Sequence, residues 1–271
     1  MKYLILCLFF IHSNSFSQNF NVDIEKEILS LNNNEKIKEY WNKIHKDDQS
    51  VRGTVFEGQN KVDVENFKKI ILMIKHHGYP NGFAITDGDK NLIGYKNFTP
   101  NIVTVHNTNP YLKEFIFPIL KKAYDENIAN EFWYIHNLRG MTRARYGRDF
   151  YDKKVENIPL FYGKLNPFVK REINYDINIV DSLDQKYKNE IEQILNLNKV
   201  FSKKKKGITH NIYKMNSNNY YWQKVYNDNT FNMPQEIYYN EKNNSLYYKL
   251  LEEEITERII IKNKKKILNI K

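Results

Sequence analysis

A chain of 271 residues with 41% hydrophobic and 27% charged side chains can bury one or two cores without metal or disulfide staples, and is too apolar for a disordered protein. Its single cysteine excludes a disulfide-rich scaffold. The formal net charge of +10 invites a nucleic-acid or membrane-surface partner, yet Lys, Asn, Ile, Tyr and Phe are abundant together, as AT-rich coding produces, so the charge alone selects neither.

The chain opens with Met1-Lys2, the apolar run Tyr3 to Ile11, and Ser15-Phe16-Ser17, the three-part form of an export signal. Residues 1–17 are expected to be a signal peptide cut after Ser17. The apolar run is far shorter than the roughly 20 residues that span a bilayer, and no later stretch approaches that length. The expected location is the periplasm or the extracellular space, with a soluble mature chain and no transmembrane segment. Cys7 leaves with the signal, so thiol catalysis and thiolate metal sites leave with it.

From Asp23 to about Val55, Ile37, Tyr40, Ile44, Val51 and Val55 recur at helical spacing around the polar break Asn32-Asn33-Asn34, which predicts two helices. Residues 62–77 predict a third, with Asp63 as N-cap, Phe67, Ile70, Ile71 and Ile74 as the apolar stripe, and Gly78 with Pro80 as the stop. Thr99-Pro100 and Asn109-Pro110 each pair an N-cap residue with proline at the first helical position, the second opening a helix to about Asn127. Residues 129–144 predict another helix, with Tyr134, Ile135, Leu138 and Met141 on one face.

Beyond Pro159 and Pro167 the pattern changes. One amphipathic helix over about 181–197 precedes the run Lys203 to Lys206, and strands follow: Asn211 to Met215, Tyr220 to Tyr226, a hairpin of Ile237-Tyr238-Tyr239 with Leu246-Tyr247-Tyr248, then Ile255 to Ile261 and Lys266 to Ile270. The predicted fold class is α+β: a mostly helical domain over 18–150, followed by a smaller domain over 151–271 that combines one helix with an antiparallel β-meander of five or six strands.

Arginine is the informative residue type, because only seven occur and four of them fall within Arg139 to Arg148. Compositional drift would supply lysine, whereas arginine offers a planar fork for carboxylate or phosphate. On a helix His136, Arg139 and Arg143 share a face, which suits an anion site and equally a solvated helix end whose basic residues complement the dipole. Trp41, His45, Asp48, Gln49 and Arg52 share another face; Asp48 and Arg52 read either as an exposed i,i+4 pair or as a carboxylate held for catalysis. His76 and His77 stand where basic residues cap a helix, and His106 ends an apolar segment in a polar setting, suiting acid–base work or a satisfied core histidine. No metal site is expected, and no Gly-rich loop, nucleophile elbow or paired ligand set assigns a cofactor. Lysines interleaved with Tyr220, Tyr221, Trp222, Tyr238, Tyr239, Tyr247 and Tyr248 outline a single-strand platform, but core packing accounts for the aromatics and export argues against a nucleic-acid partner.

The pattern Asp48-Gln49-x-x-Arg52, Gly78-Tyr79-Pro80, His106, Arg139 and Tyr146-Gly147 resembles a bacterial domain family of unknown function, whose pattern reads Asp-Gln-x-x-Arg, Gly-Trp-Pro, Gln-His, Asp-Arg and Gln-x-Tyr-Gly-Thr-Gln. The likeness spans about residues 35–150 and differs at Val105, Leu138 and Arg148-Asp149. It implies a helical domain in which Gln49, Arg52, His106, Arg139 and Tyr146 converge on one cleft, and it carries no activity.

Together these readings lead to an exported protein whose helical domain holds a His/Arg cleft for an anionic small molecule, a cleft that is compatible with hydrolysing its ligand. Arg139 and Arg143 clamp the anion, Gln49, Arg52 and Tyr146 complete the binding set, and His106 or His136 acts as acid or base. The alternative is a non-catalytic module that binds a cell-envelope component through the Tyr- and Lys-rich meander. Neither reading sets the reaction type or the oligomeric state. If Arg139 and Arg143 form an anion fork, replacing each by lysine should weaken ligand binding by about 1–3 kcal/mol and move stability by no more than about 0.5 kcal/mol. A thermal-shift screen of wild type, Arg139→Lys and Arg143→Lys against phosphate, sugar acids and peptidoglycan fragments checks this; a ligand that stabilises all three proteins equally does not bind through these arginines.

Overall fold

A computed structural model of the chain describes residues 21–52, 56–80, 98–129, 131–146, 172–225, 234–249, 253–255 and 258–268. The export signal, Val55, the domain boundary near residue 150, Tyr226 and Ile270 lie outside the described residues. The fold is α+β, with helices in the first part of the chain and an antiparallel sheet after them. No helix among the described residues is long and apolar enough to cross a membrane.

Helix α1 covers residues 21–29, and α2 spans Asn34–Ser50 after the expected Asn-rich break. Asn33 caps α2, its side-chain oxygen accepting from the Lys36 backbone N–H at 2.9 Å. Helix α3 spans Phe56–His77, so it begins well before the expected start at residue 62. Asp63 therefore lies inside the helix, where its carboxylate meets Arg52. The end is as expected: Gly78 takes φ +77° and its N–H bonds to the Ile74 carbonyl at 3.0 Å, a left-handed cap that any side chain would strain.

Helix α4 spans Phe98–His106, which places Thr99 within the helix rather than at its cap. Helix α5 spans Pro110–Asp125, α6 spans Glu131–Tyr146 and α7 spans Asn178–Leu195. Asp176 Oδ1 accepts from the Asn178 N–H at 3.0 Å, which starts α7 a few residues earlier than the apolar pattern predicts.

These residues fall into two compact units. The first gathers described residues within Met1–Asn107, Phe115–Tyr134 and Pro167–Leu183; the second gathers those within Thr108–Glu114, Ile135–Asn166 and Asp184–Lys271. In the first unit α2, α3 and α4 pack on one another around Trp41, Ile44, Phe67, Ile70, Ile71 and Val103, each contributing about 1.5–3 kcal/mol through burial. Helix α1 is held by side chains of α3: Lys75 and His76 bond Glu25 at 2.6 and 2.8 Å, and His77 donates to the Ile28 carbonyl at 2.9 Å, so both histidines are structural. Buried Lys68 joins Asn21 at 3.0 Å to Asp181 at 2.7 Å, and Asn21 also reaches Asn178 at 3.1 Å.

The second unit holds a six-stranded antiparallel meander in the order β1 to β6: Asn198–Lys205, Ile208–Lys214, Asn219–Val225, Gln235–Asn240, Ser245–Tyr248 and Glu253–Glu254. Strand β1 absorbs the lysine run that sequence periodicity leaves outside the sheet. It turns into β2 at Lys206-Gly207, both with positive φ, the twist that two-residue hairpin turns favour. One sheet face carries Phe201, Ile212, Tyr220, Trp222, Ile237 and Tyr248 in a core closed by Ile259, Ile260 and Ile267.

Those last isoleucines correct an expectation. The segments 255–261 and 266–270 read as strands, but Arg258–Lys262 and Lys264–Leu268 are short helices, α8 and α9. A brief isoleucine run does not distinguish the two periods, and the helical one turns Ile259, Ile260 and Ile267 onto the sheet while lysines stay outside.

Asn109 caps α5, its Oδ1 accepting from the Tyr111 and Leu112 N–H groups at 2.9 and 3.4 Å. Asn109→Ala is expected to lower stability by about 1 kcal/mol, measured by urea unfolding, and an unchanged midpoint would remove the cap from the account.

Candidate functional site

The side chain that organises the first unit's polar site is Asp48, which is fully buried on α2. Trp41, Ile44 and Asp48 follow one another at spacings of three and four, so the carboxylate occupies the next core position of an apolar stripe. A carboxylate there must be met by donors. Arg52 supplies one, its Nη2 bonding Asp48 Oδ1, while its Nε donates to the Asp48 backbone carbonyl at 2.9 Å. Gln49 Nε2 donates to Oδ2 at 2.6 Å, and His106 Nδ1 donates to the same oxygen at 2.8 Å. The reading of Asp48 and Arg52 as an exposed pair is therefore corrected: the carboxylate has no exposure and the arginine side chain 23%.

Arg52 also bonds Asp63 Oδ1, a carboxylate only 8% exposed on α3, so one guanidinium joins two carboxylates from different helices. Asn66, one turn along α3, donates to the Ile44 carbonyl at 3.4 Å and holds the same pair of helices. His106 reaches Asp48 because α4 ends at that residue, and α4 is fixed at its other end by Asn101, whose Nδ2 donates to the buried Tyr79 hydroxyl at 2.6 Å. The Gly78-Tyr79-Pro80 segment thus positions the histidine through the helix that carries it.

Electrostatics separates the two acids. Burial pushes the Asp48 carboxyl up, but the hydrogen bond and charge of His106, with the Arg52 guanidinium, outweigh it and hold the carboxyl below its ordinary range. For Asp63 burial prevails over Arg52 and raises the carboxyl above its ordinary range. Burial acts against the Arg52 charge as well, yet the two carboxylates more than compensate. His45, one turn before Asp48, is pulled down, first by burial and further by His106, against the pull of Asp48.

An imidazole whose Nδ1–H is bonded to a buried carboxylate has a fixed tautomer, with Nε2 as its proton acceptor. The His106 side chain is 27% exposed, so the ring also meets solvent. Among the described residues no group of three or more His, Cys, Asp or Glu side chains is placed to hold a metal ion.

Gln49, Arg52 and His106 of the expected set are thus brought together around Asp48, with Arg52 engaged by carboxylates. His136 and Arg139 belong to the second unit, half-buried on α6 beside buried Leu138 and Met141. Arg143 and Tyr146 are on the same helix, and their side chains lie outside the described residues. Sequence reasoning missed Lys113, a buried residue of the second unit whose Nζ lies 3.2 Å from where a Cβ on Gly140 would stand. Glycine at 140 leaves room for that ammonium against α6, next to Arg139. The signal for Asp48 and Asp63 was available, since each is an acid on an apolar helical stripe.

Because its folded-state pKa is depressed, Asp48 contributes stability that is present above the ordinary carboxylate range and is lost as pH falls through its folded value. Asp63 has the opposite sign: its contribution is present below the ordinary carboxylate range and is lost as pH rises through its own folded value. Asp48→Asn is expected to destabilise the protein by about 3 kcal/mol at pH 7, by stranding Arg52 and His106. The variant should also lose less stability than wild type below about pH 4. Urea unfolding across that range measures both effects, and parallel pH slopes would show that Asp48 is not the ionised centre of the network.

In comparison with known proteins, no family model, no curated protein and no solved structure matches this chain.

Proposed function

We propose that the protein is an exported acid–base catalyst, with His106 as the proton-transferring group and hydrolysis of an anionic substrate as its reaction. The observation that carries this reading is the 2.8 Å bond from His106 Nδ1 to a carboxylate with no solvent exposure. Such a carboxylate holds the ring in one orientation and stabilises the positive charge that develops when Nε2 takes a proton from water or a substrate hydroxyl. Arg52 acts here as a positioning residue: it holds Asp48 against Asp63 and keeps two acids from repelling each other. Gln49 fills the remaining acceptor capacity of Asp48 Oδ2 from the exposed side of α2.

The likeness to the bacterial domain family enters the proposal at the same residues. Its Asp-Gln-x-x-Arg element supplies Asp48, Gln49 and Arg52, its Gly-Tyr-Pro counterpart supplies the Tyr79 anchor for α4, and its histidine is His106. That three motif residues, Gln49, Arg52 and His106, bond the buried carboxylate of a fourth, Asp48, supports the reading of the motif as a site rather than a packing signature. Export and an anionic substrate are carried over from the sequence reading alone, from the signal-like form of Met1 to Ser17 and the local preference for arginine over lysine.

The test is a panel of hydrolase probes, namely nitrophenyl esters and phosphates, sugar-acid glycosides and peptidoglycan fragments, assayed with wild type and His106→Gln. General acid–base catalysis predicts a loss of about 10²- to 10⁴-fold in turnover for the variant with its helical signal unchanged. Arg52→Lys should keep part of the activity and shift its pH profile, because the charge stays while the bridge to Asp63 loosens. Probe turnover that is equal in wild type and His106→Gln overturns the assignment.

A further inference from the structure

Stability alone does not call for the second acid of the helical site. Asp48 and Arg52 already form an ion pair within one turn of chain, and a further carboxylate on α3, only 8% exposed, adds its own desolvation cost. The atoms show how Asp63 enters. Arg52 Nη2 donates to Asp48 Oδ1 and also to Asp63 Oδ1, so both acids draw on one nitrogen. Asp48 turns its other oxygen, Oδ2, to the His106 Nδ1–H at 2.8 Å. Asp63, Arg52, Asp48 and His106 therefore follow one another in a single bonded chain, built from α3, α2 with the turn after it, and α4, three helices packed on one another within the first unit.

Charge gives that chain a direction. Asp48 and Arg52 alone sum to zero, and a neutral pair lends little support to a positive charge forming on the imidazole. With Asp63 ionised the three sum to −1, in surroundings that water reaches poorly and where a unit charge is weakly screened. The guanidinium is also divided: what it gives to Asp63 it withholds from Asp48, so the oxygen facing the ring keeps more of its negative charge. The charged and titratable groups around the ring are Asp48, Arg52 and His45 on the α2 side and Asp63 on the α3 side, and the charge of His106 is felt at Asp63 itself.

We infer that Asp63 is a positioning residue for His106 that acts through Arg52: it draws the guanidinium away from Asp48, which keeps Asp48 negative enough to orient the ring and to support the charge formed when Nε2 takes a proton. The inference rests on His106 as the proton-transferring group. Its consequence is read on the ring itself, without a substrate.

The probe is diethyl pyrocarbonate, which carbethoxylates an unprotonated imidazole nitrogen; it is applied to the full chain at mildly alkaline pH, and mass spectrometry locates the modified histidine. Asp63→Asn should slow labelling of His106 about threefold, because a less negative Asp48 leaves Nε2 a weaker nucleophile, and Asp63→Glu should restore most of the rate. Asp47→Asn removes the same charge from the solvent side of α2, where Asp47 pairs with Lys69 at 3.3 Å, and should leave the rate unchanged. A merely structural role for Asp63 has the opposite sign, since a loosened α4 exposes the ring and speeds labelling. Wild type supplies a second measurement that does not depend on a variant folding. Burial raises the Asp63 carboxyl, so as pH falls it takes a proton before an ordinary carboxylate does, and the Arg52 Nη2 proton bonded to Asp48 should then move downfield in the NMR spectrum as the guanidinium passes to Asp48. Labelling that is equal or faster in Asp63→Asn, or an Arg52 resonance that does not respond to Asp63, overturns the inference. Labelling slowed by Asp63→Asn alongside turnover that survives His106→Gln overturns the catalytic reading and leaves the charge coupling standing.

Discussion

A carboxylate with no solvent exposure constrains its surroundings more than any apolar residue does, because every lone pair it has must be met by a donor from the protein. Asp48 is such a group. Its four-residue neighbour Arg52, the adjacent Gln49 and the last residue of α4 all converge on it. Helices α2, α3 and α4 are consequently fixed in two ways, by the isoleucine and aromatic core and by the charge that must stay satisfied within it. Apolar packing tolerates substitutions of similar volume, whereas a buried charge tolerates few.

The two acids of the network differ in what they are free to do. Asp48 has His106 and Arg52 together and remains ionised, while at Asp63 burial outweighs the pull of Arg52 and the carboxyl holds its proton more readily. A fixed negative charge beside an imidazole and a more easily protonated carboxyl one helix away make a graded arrangement in place of two equivalent acids. The sheet of the second unit has the reverse composition, with cations gathered at one end of its apolar face. The helical unit therefore carries an anionic centre met by its own donors, and the first three strands of the sheet carry a lysine-rich stretch of sequence.

The helices were legible where caps and apolar spacing agreed, as at Asn33, Gly78 and Asn109-Pro110. Legibility failed where one signal stood in for another. Asp63 looks like a cap because an acid precedes an apolar stripe, yet its partner is eleven residues upstream on another element and is invisible to local patterning. Ile259-Ile260-Ile261 looks like a strand because β-branched runs favour strands, yet the sheet already had its neighbours and needed a cover. Strand β1 was hidden by its lysines, since apart from half-buried Val200 and buried Phe201 this edge strand is exposed along its length and has almost no alternation to display. Within the site, Arg52, Gln49 and His106 were found from spacing and motif, whereas the burial of Asp48 depends on three helices meeting and could be suspected only from an acid sitting in line with Trp41 and Ile44.

The connectivity of the two units sets different demands on the chain before either is formed. In the meander every strand pairs with the next, and the widest ladder partners, Asn219 and Tyr238, are 19 residues apart. The helical unit closes through Asn21 and Asn178, which are 157 residues apart. Loop-closure entropy grows with the logarithm of the separation, so the longer closure is harder by about 2 kcal/mol. The sheet can thus assemble from contacts local to its own stretch, in the regime of low contact order and fast folding, while α1, held first by α3, gains its Asn21–Asn178 contact only once α7 exists.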